Sequence, residues 1–105
     1  MKRYFILAYE NLYQGLHGMY DWIIYEGSFK EACEVGQEMS REVIESYECI
    51  YDELTEGLDE EDIEDEIFND ISYEIYDLKE GVSEDEIYSL NWDPRDIIDE
   101  YCIVE

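Results

Sequence analysis

The hydrophobic and polar positions change period along the chain, and these changes predict the order of its elements. Residues 3–9 (RYFILAY) and 20–26 (YDWIIYE) are rich in aromatic and β-branched side chains, which favours two strands. Gly15 and Gly18 lie between them and predict a turn. The two segments are therefore expected to form an antiparallel hairpin with a long loop.

An amphipathic helix is predicted after the hairpin. Ser28 and Glu31 match a capping box, in which each side chain satisfies one free amide at the helix start. Apolar residues then recur at steps of three and four, as they do along one face of a helix. The pattern runs as far as Thr55, with Gly57 as the stop. A break near Ser46 is an open alternative, because a helix of this length exceeds the usual range.

The octet DEEDIEDE, residues 59–66, opens the next predicted helix. Its apolar positions are expected on one side: Leu58, Ile63, Ile67, Phe68 and Ile71. The following segment, residues 72–78 (SYEIYDL), alternates apolar and polar residues well enough to predict a third strand.

Two short helices are predicted at the end of the chain. Ser83 and Glu86 repeat the capping-box pattern. Asp93 is placed as the N-cap of the last helix, because Pro94 suits the first helical position. The expected order is β-β-α-α-β-α-α, an α+β fold with a small antiparallel sheet of about three strands covered by helices. With 105 residues, the chain is expected to form a single domain, residues 1–105.

Composition adds one unusual feature, the net charge. There are 31 acidic residues against six Lys and Arg, so the formal net charge is −25. The chain is nevertheless 46% hydrophobic and has 11 tyrosines, which is not the composition of a disordered acidic segment. A net charge of about 2–8 in magnitude suffices for solubility, and self-repulsion destabilises a compact state. This excess of acid therefore calls for a functional explanation.

Targeting and redox signals indicate a cytoplasmic protein. The apolar run after Lys2 and Arg3 is too short for a signal peptide, and no stretch approaches 18 apolar residues. The three cysteines, Cys33, Cys49 and Cys102, are widely spaced and odd in number, which predicts buried reduced thiols.

Residues for catalysis or cofactor binding are scarce. His17 is the only histidine and lies in a predicted loop. There is no glycine-rich phosphate loop, no HExxH or GxSxG motif, and no EF-hand spacing among the acids. We expect no enzymatic activity, no cofactor and no dedicated metal site.

The acidic octet is costly and extends into a larger pattern. Like charges pair seven times at i,i+3 or i,i+4 between residues 59 and 70, which costs roughly 1.5–3.5 kcal/mol in all. No basic residue occurs between Arg41 and Lys79. Acids on the first helix, including Glu38, Glu42 and Glu45, step along a polar face and could continue the same surface.

The octet and its flanks are the candidate contact residues for a basic partner. The acids of the octet form the predicted contact set, and four more flank it. The eleven positions are Asp52, Glu53, Glu56, Asp59, Glu60, Glu61, Asp62, Glu64, Asp65, Glu66 and Asp70. Tyrosines are frequent at binding hot spots, and four near acidic residues are candidates for exposure: Tyr51, Tyr73, Tyr76 and Tyr88.

In size, charge, tyrosine content and the DEEDIEDE run, the chain resembles the small acidic DNA-mimic proteins of phages and mobile elements. These proteins inhibit restriction enzymes, CRISPR nucleases and other DNA-binding proteins. Cas9-like nucleases are the first target to try for this chain, because their duplex channels are positively charged. The resemblance implies an inhibitor that acts in the host cytoplasm and fills the basic groove of a defence protein, without binding nucleic acid itself. Because such mimics have unrelated folds, it implies no fold. The alternative is an acidic interaction module, such as an antitoxin, adaptor or chaperone, that binds a basic protein without mimicry.

Overall fold

The computed structural model describes residues 2–10, 20–90 and 92–103. Strands and helices alternate in blocks, with two strands first, three helices before the third strand, and two helices before the last. The strands are β1 (Arg3–Glu10), β2 (Tyr20–Glu26), β3 (Ile71–Leu78) and β4 (Cys102–Ile103). The helices are α1 (Phe29–Ser46), α2 (Glu48–Thr55), α3 (Glu60–Asp70), α4 (Glu84–Tyr88) and α5 (Pro94–Tyr101). The α+β class is thus confirmed, and the predicted order agrees apart from one further helix before β3 and a short last strand.

The strands form one antiparallel sheet in the order β2-β1-β3-β4 within the described residues. β1 pairs with β2 on one side, with Ile6 opposite Ile23, and with β3 on the other, with Ile6 opposite Ile75. The hairpin of β1 and β2 is therefore confirmed, whereas its predicted turn at Gly15 and Gly18 lies outside the described residues.

Helices cover both faces of this sheet. On one face, Tyr4 and Ile6 of β1 pack with Ala32 of α1. On the other face, Phe5 and Leu7 join the core cluster that includes residues of α4 and α5. Consecutive residues of β1 are apolar because both faces of the strand are covered.

α1 approaches the sheet closely at two small residues. A Cβ on Gly36 would lie 2.8 Å from Cδ2 of Tyr73, so a side chain there would collide with β3. The hydroxyl of Ser40, which is fully buried, donates to the carbonyl of Tyr9 (2.7 Å) and accepts from the amide of Ser72 (2.9 Å). This hydroxyl therefore links α1 to both inner strands.

Helix boundaries follow local signals in most places. Ser28 caps α1 by accepting from the amide of Glu31 and donating to its carboxylate. Asp93 caps α5 by accepting from the amide of Arg95. The alternative with a break near Ser46 is confirmed, because Tyr47 has extended backbone angles and separates α1 from α2.

Four expectations need correction. Ser83 precedes α4 but makes no side-chain capping bond, and Glu86 instead accepts from the Tyr101 hydroxyl (3.4 Å). The fourth strand, β4, was not predicted, because two residues carry too little pattern to detect. The acidic octet follows two helices, since the predicted first helix is divided. Of the three cysteines, all free thiols, Cys102 is buried, Cys33 is half-buried and Cys49 is exposed.

Along the described residues, no helix combines the length and apolar character that crossing a membrane would require.

Candidate partner-binding surface

Asp59, which has extended backbone angles, is the N-cap that precedes α3. Its carbonyl accepts from the amides of Asp62 (3.0 Å) and Ile63 (3.1 Å), but its carboxylate makes no capping bond. The first helical turn carries Glu60, Glu61 and Asp62, whose charges interact favourably with the positive end of the helix dipole. The Asp59 carboxylate therefore stays exposed at the surface.

α3 buries a narrow stripe and leaves the carboxylates of its first two turns outside. Ile67 is 2% exposed and packs with Ile44 of α1, and half-buried Ile63 joins the same cluster. The acids around them, from Glu60 to Glu66, are all exposed. The helix is held by two isoleucines, so the carboxylates spread over the rest of its circumference.

α2 places further acids beside α3. It ends at Thr55, and Gly57 has a φ of +75°, a backbone conformation that glycine adopts readily. The amide of Leu58 donates to the Thr55 carbonyl (3.1 Å) in this turn, and the two helices then pack on each other. α2 and its C-cap contribute four exposed acids, Glu48 at the start of the helix and the predicted contact residues Asp52, Glu53 and Glu56.

Ten of the eleven predicted contact residues are exposed, and together they are termed the acidic surface. Its members are Asp52, Glu53, Glu56, Asp59, Glu60, Glu61, Asp62, Glu64, Asp65 and Glu66. The eleventh residue, Asp70, is only 5% exposed and is not part of it. Asp70 follows Ile67 by three residues and Ile63 by seven, so the helical repeat places it on the inward side.

One positive charge is paired with the acidic surface through a side chain of α1. Arg41 forms an ion pair with Glu64, and its Nε lies 3.0 Å from Oε1 of Glu45. The hydrogen bonds to Glu45 and Glu64 raise the pKa of Arg41, so the guanidinium stays charged. The Arg41 guanidinium carries one positive charge against ten carboxylates, so it offsets little of the negative charge of the acidic surface.

The negative charge continues along α1. Glu38, Glu42 and Glu45 are exposed, as the helical spacing predicts. None of the five helices has a basic residue in its last turn, so the negative ends of their dipoles are not offset by basic side chains there.

The aromatic side chains depart from the sequence expectation in two ways. Phe68 is 66% exposed, although its position predicted a place among the inward residues of α3. It comes one residue after Ile67, so its side chain points about 100° further round the helix. Of the four tyrosines expected at the surface, Tyr88 is exposed and the other three are half-buried.

A second charged cluster lies on the sheet. The guanidinium of Arg95 in α5 donates two hydrogen bonds, of 2.9 and 2.6 Å, to the carboxylate of Glu74 in β3. The Tyr76 hydroxyl donates a further hydrogen bond to the same carboxylate. The Arg95 guanidinium holds the pKa of Glu74 below its ordinary value. Because each charge meets its partner, this cluster serves to join α5 to the sheet.

A metal site within the described residues would need several His, Cys, Asp or Glu side chains close together. No group of three or more His, Cys, Asp or Glu side chains there is arranged to hold a metal ion. His17, the one histidine, lies outside the described residues.

Comparison with protein-family models, with curated proteins and with solved structures finds no match to this chain.

Proposed function

We propose that the protein is an inhibitor that occupies the nucleic-acid groove of a basic host defence protein. The observation that carries this proposal is the acidic surface, in which ten exposed carboxylates lie on two packed helices and their caps, with Arg41 paired to Glu64. Repulsion among these carboxylates destabilises the folded protein, so we expect a positively charged partner whose attraction offsets the repulsion. Proteins with basic grooves are chiefly those that bind nucleic acid.

The spacing of the charges supports mimicry. Residues 59–66 carry seven carboxylates, and eight residues of helix span roughly 12 Å. The charge density is thus about one per 1.7 Å, close to that of duplex DNA along its axis. The protein is also elongated, with extents of 49 × 27 × 24 Å. An elongated body with this density of anions suits a groove that binds a duplex, such as the channel of a Cas9-like nuclease.

The proposal is tested by competition. A panel of purified Cas9-type nucleases and restriction enzymes is loaded with fluorescent DNA, and displacement is followed by anisotropy at low and high salt. A mimic displaces DNA from its target, and salt weakens this displacement because the attraction is electrostatic.

The matched variants locate the effect. One variant neutralises four members of the acidic surface, Asp59→Asn, Glu60→Gln, Glu61→Gln and Asp62→Asn. We expect it to lose roughly ten-fold or more in displacement. The control neutralises four exposed acids elsewhere, Glu26→Gln, Glu80→Gln, Asp96→Asn and Asp99→Asn, and carries the same net charge. Equal losses in both variants would show that net charge acts, without a localised surface.

A second candidate function is supported by Phe68. An exposed phenylalanine beside the acids has no counterpart in a phosphate backbone, and it favours an acidic adaptor or antitoxin that binds a basic protein. The same assay separates the two functions. The target of an adaptor keeps its DNA while the acidic protein is bound, whereas the target of a mimic releases it.

A further inference from the structure

A shallow groove of about 410 Å³ runs between α1 and the end of α3. The wall on α1 is polar and comprises Glu34, Gln37, Glu38 and Arg41. The opposite wall is apolar and comprises Phe68 and Ile71. Carboxylates and an exposed aromatic ring therefore line the same groove.

The lining of the groove carries two carboxylates, of Glu34 and Glu38, and one guanidinium, of Arg41. Arg41 is committed to Glu45 and Glu64 through ion pairs. Within the described residues, Glu34 and Glu38 lie in no ion pair. The groove thus has two negative side chains available on one wall, and Phe68 on the other is 66% exposed.

Two carboxylates beside an exposed aromatic ring favour a ligand that is positively charged and can also stack on the ring. A second copy of the chain is a poor occupant, because two molecules of charge −25 repel each other. A lysine ammonium satisfies carboxylates, but it is a compact and strongly hydrated charge. An arginine guanidinium stacks on an aromatic ring and also donates in a fork to carboxylates, so both walls can contact it.

We propose that this groove receives an arginine side chain of the basic partner, with the guanidinium between the Phe68 ring and the carboxylates of Glu34 and Glu38. The proposal rests on the proposed function, since it names the group on the basic partner that α3 recognises. It explains why an exposed aromatic ring lies among acids, where a purely electrostatic surface would need none.

Fluorine NMR can test the groove without knowledge of the partner. The chain has three phenylalanines, so incorporation of 4-fluorophenylalanine yields three resonances, for Phe5, Phe29 and Phe68. The probes are hexa-arginine and hexa-lysine peptides. We expect the arginine peptide to shift the Phe68 resonance, and to shift that of Phe29 little, although Phe29 is also exposed (58%). Equal shifts at Phe29 and Phe68, or no shift at Phe68 at saturation, would overturn the proposal.

Affinity supplies the second readout. Phe68→Leu keeps an apolar side chain but removes the ring, and we expect it to weaken hexa-arginine binding about two- to five-fold more than hexa-lysine binding. Phe29→Leu is the matched control and should leave the ratio of the two affinities unchanged. An unchanged ratio in Phe68→Leu would also overturn the proposal.

The outcomes separate this proposal from the function on which it rests. If the Phe68 resonance does not shift while DNA is displaced from the target, the proposed arginine groove is refuted and the proposed mimicry is supported. If Phe68 responds to arginine while the target keeps its DNA, the groove stands and mimicry is wrong.

Discussion

The repulsion within α3 can be measured by removing two charges from the middle of the helix. Asp65→Asn with Glu66→Gln leaves the first turn intact, so the favourable interaction with the helix dipole is retained. The double variant abolishes three like-charge pairs between exposed acids: Glu61–Asp65, Asp62–Asp65 and Asp62–Glu66. At about 0.2–0.5 kcal/mol each, the free energy of unfolding should rise by about 0.6–1.5 kcal/mol.

For a domain of this size, that gain corresponds to an increase in Tm of about 3–10 °C. Thermal unfolding followed by circular dichroism at low ionic strength measures it. The matched control is Glu26→Gln with Glu80→Gln, which removes two exposed charges that lie outside the helices. The Tm difference between the α3 variant and wild type should shrink in high salt, because salt screens exposed charges.

Like-charge repulsion as a cost to the stability of α3 is refuted if the α3 variant melts no higher than the control. That result would mean that Asp65 or Glu66 makes stabilising contacts that exceed the repulsion. The same repulsion is also refuted if the increase in Tm is equal at all salt concentrations, because helix propensity and not charge would then explain the increase.

Three further predictions concern the sheet. Gly36→Ala should destabilise the protein by about 1–3 kcal/mol in chemical denaturation, because the new Cβ would lie 2.8 Å from Tyr73; a variant as stable as wild type would contradict this close approach. Ser40→Ala should cost about 1–3 kcal/mol in the same assay, since the buried hydroxyl bridges two strands, whereas a neutral effect would show that the bridge contributes little. The hydrogen bonds from Arg95 are the main cause of the lowered pKa of Glu74 in the folded protein. The ionised Glu74 carboxylate therefore contributes fully to stability above its unfolded pKa of about 4.5. This contribution is lost as the pH falls through the lower pKa that Glu74 has in the folded state. The stability difference between wild type and Glu74→Gln should therefore be largest at neutral pH and shrink on acidification below 4.5, and a difference independent of pH would refute this linkage.

The sequence by itself determined the elements whose signals are local. β2 covers residues 20–26 as predicted, because its aromatic and β-branched residues favour a strand in any context. Ser28 and Asp93 cap α1 and α5 as predicted, since capping depends on residues two or three positions away. The exposure of the octet also follows from local physics, because desolvating seven neighbouring carboxylates would be prohibitive.

Only the tertiary structure decided which side of α3 would be covered and how widely. The stripe buried against α1 and α2 is narrow, so it includes Asp70 and leaves out Phe68, the reverse of what residue hydrophobicity predicts. The strand order, the short β4 and the bridge through Ser40 depend in the same way on residues that are distant in the chain. Periodicity specifies the direction of a side chain relative to its own helix, but its burial depends on what the rest of the fold places opposite it.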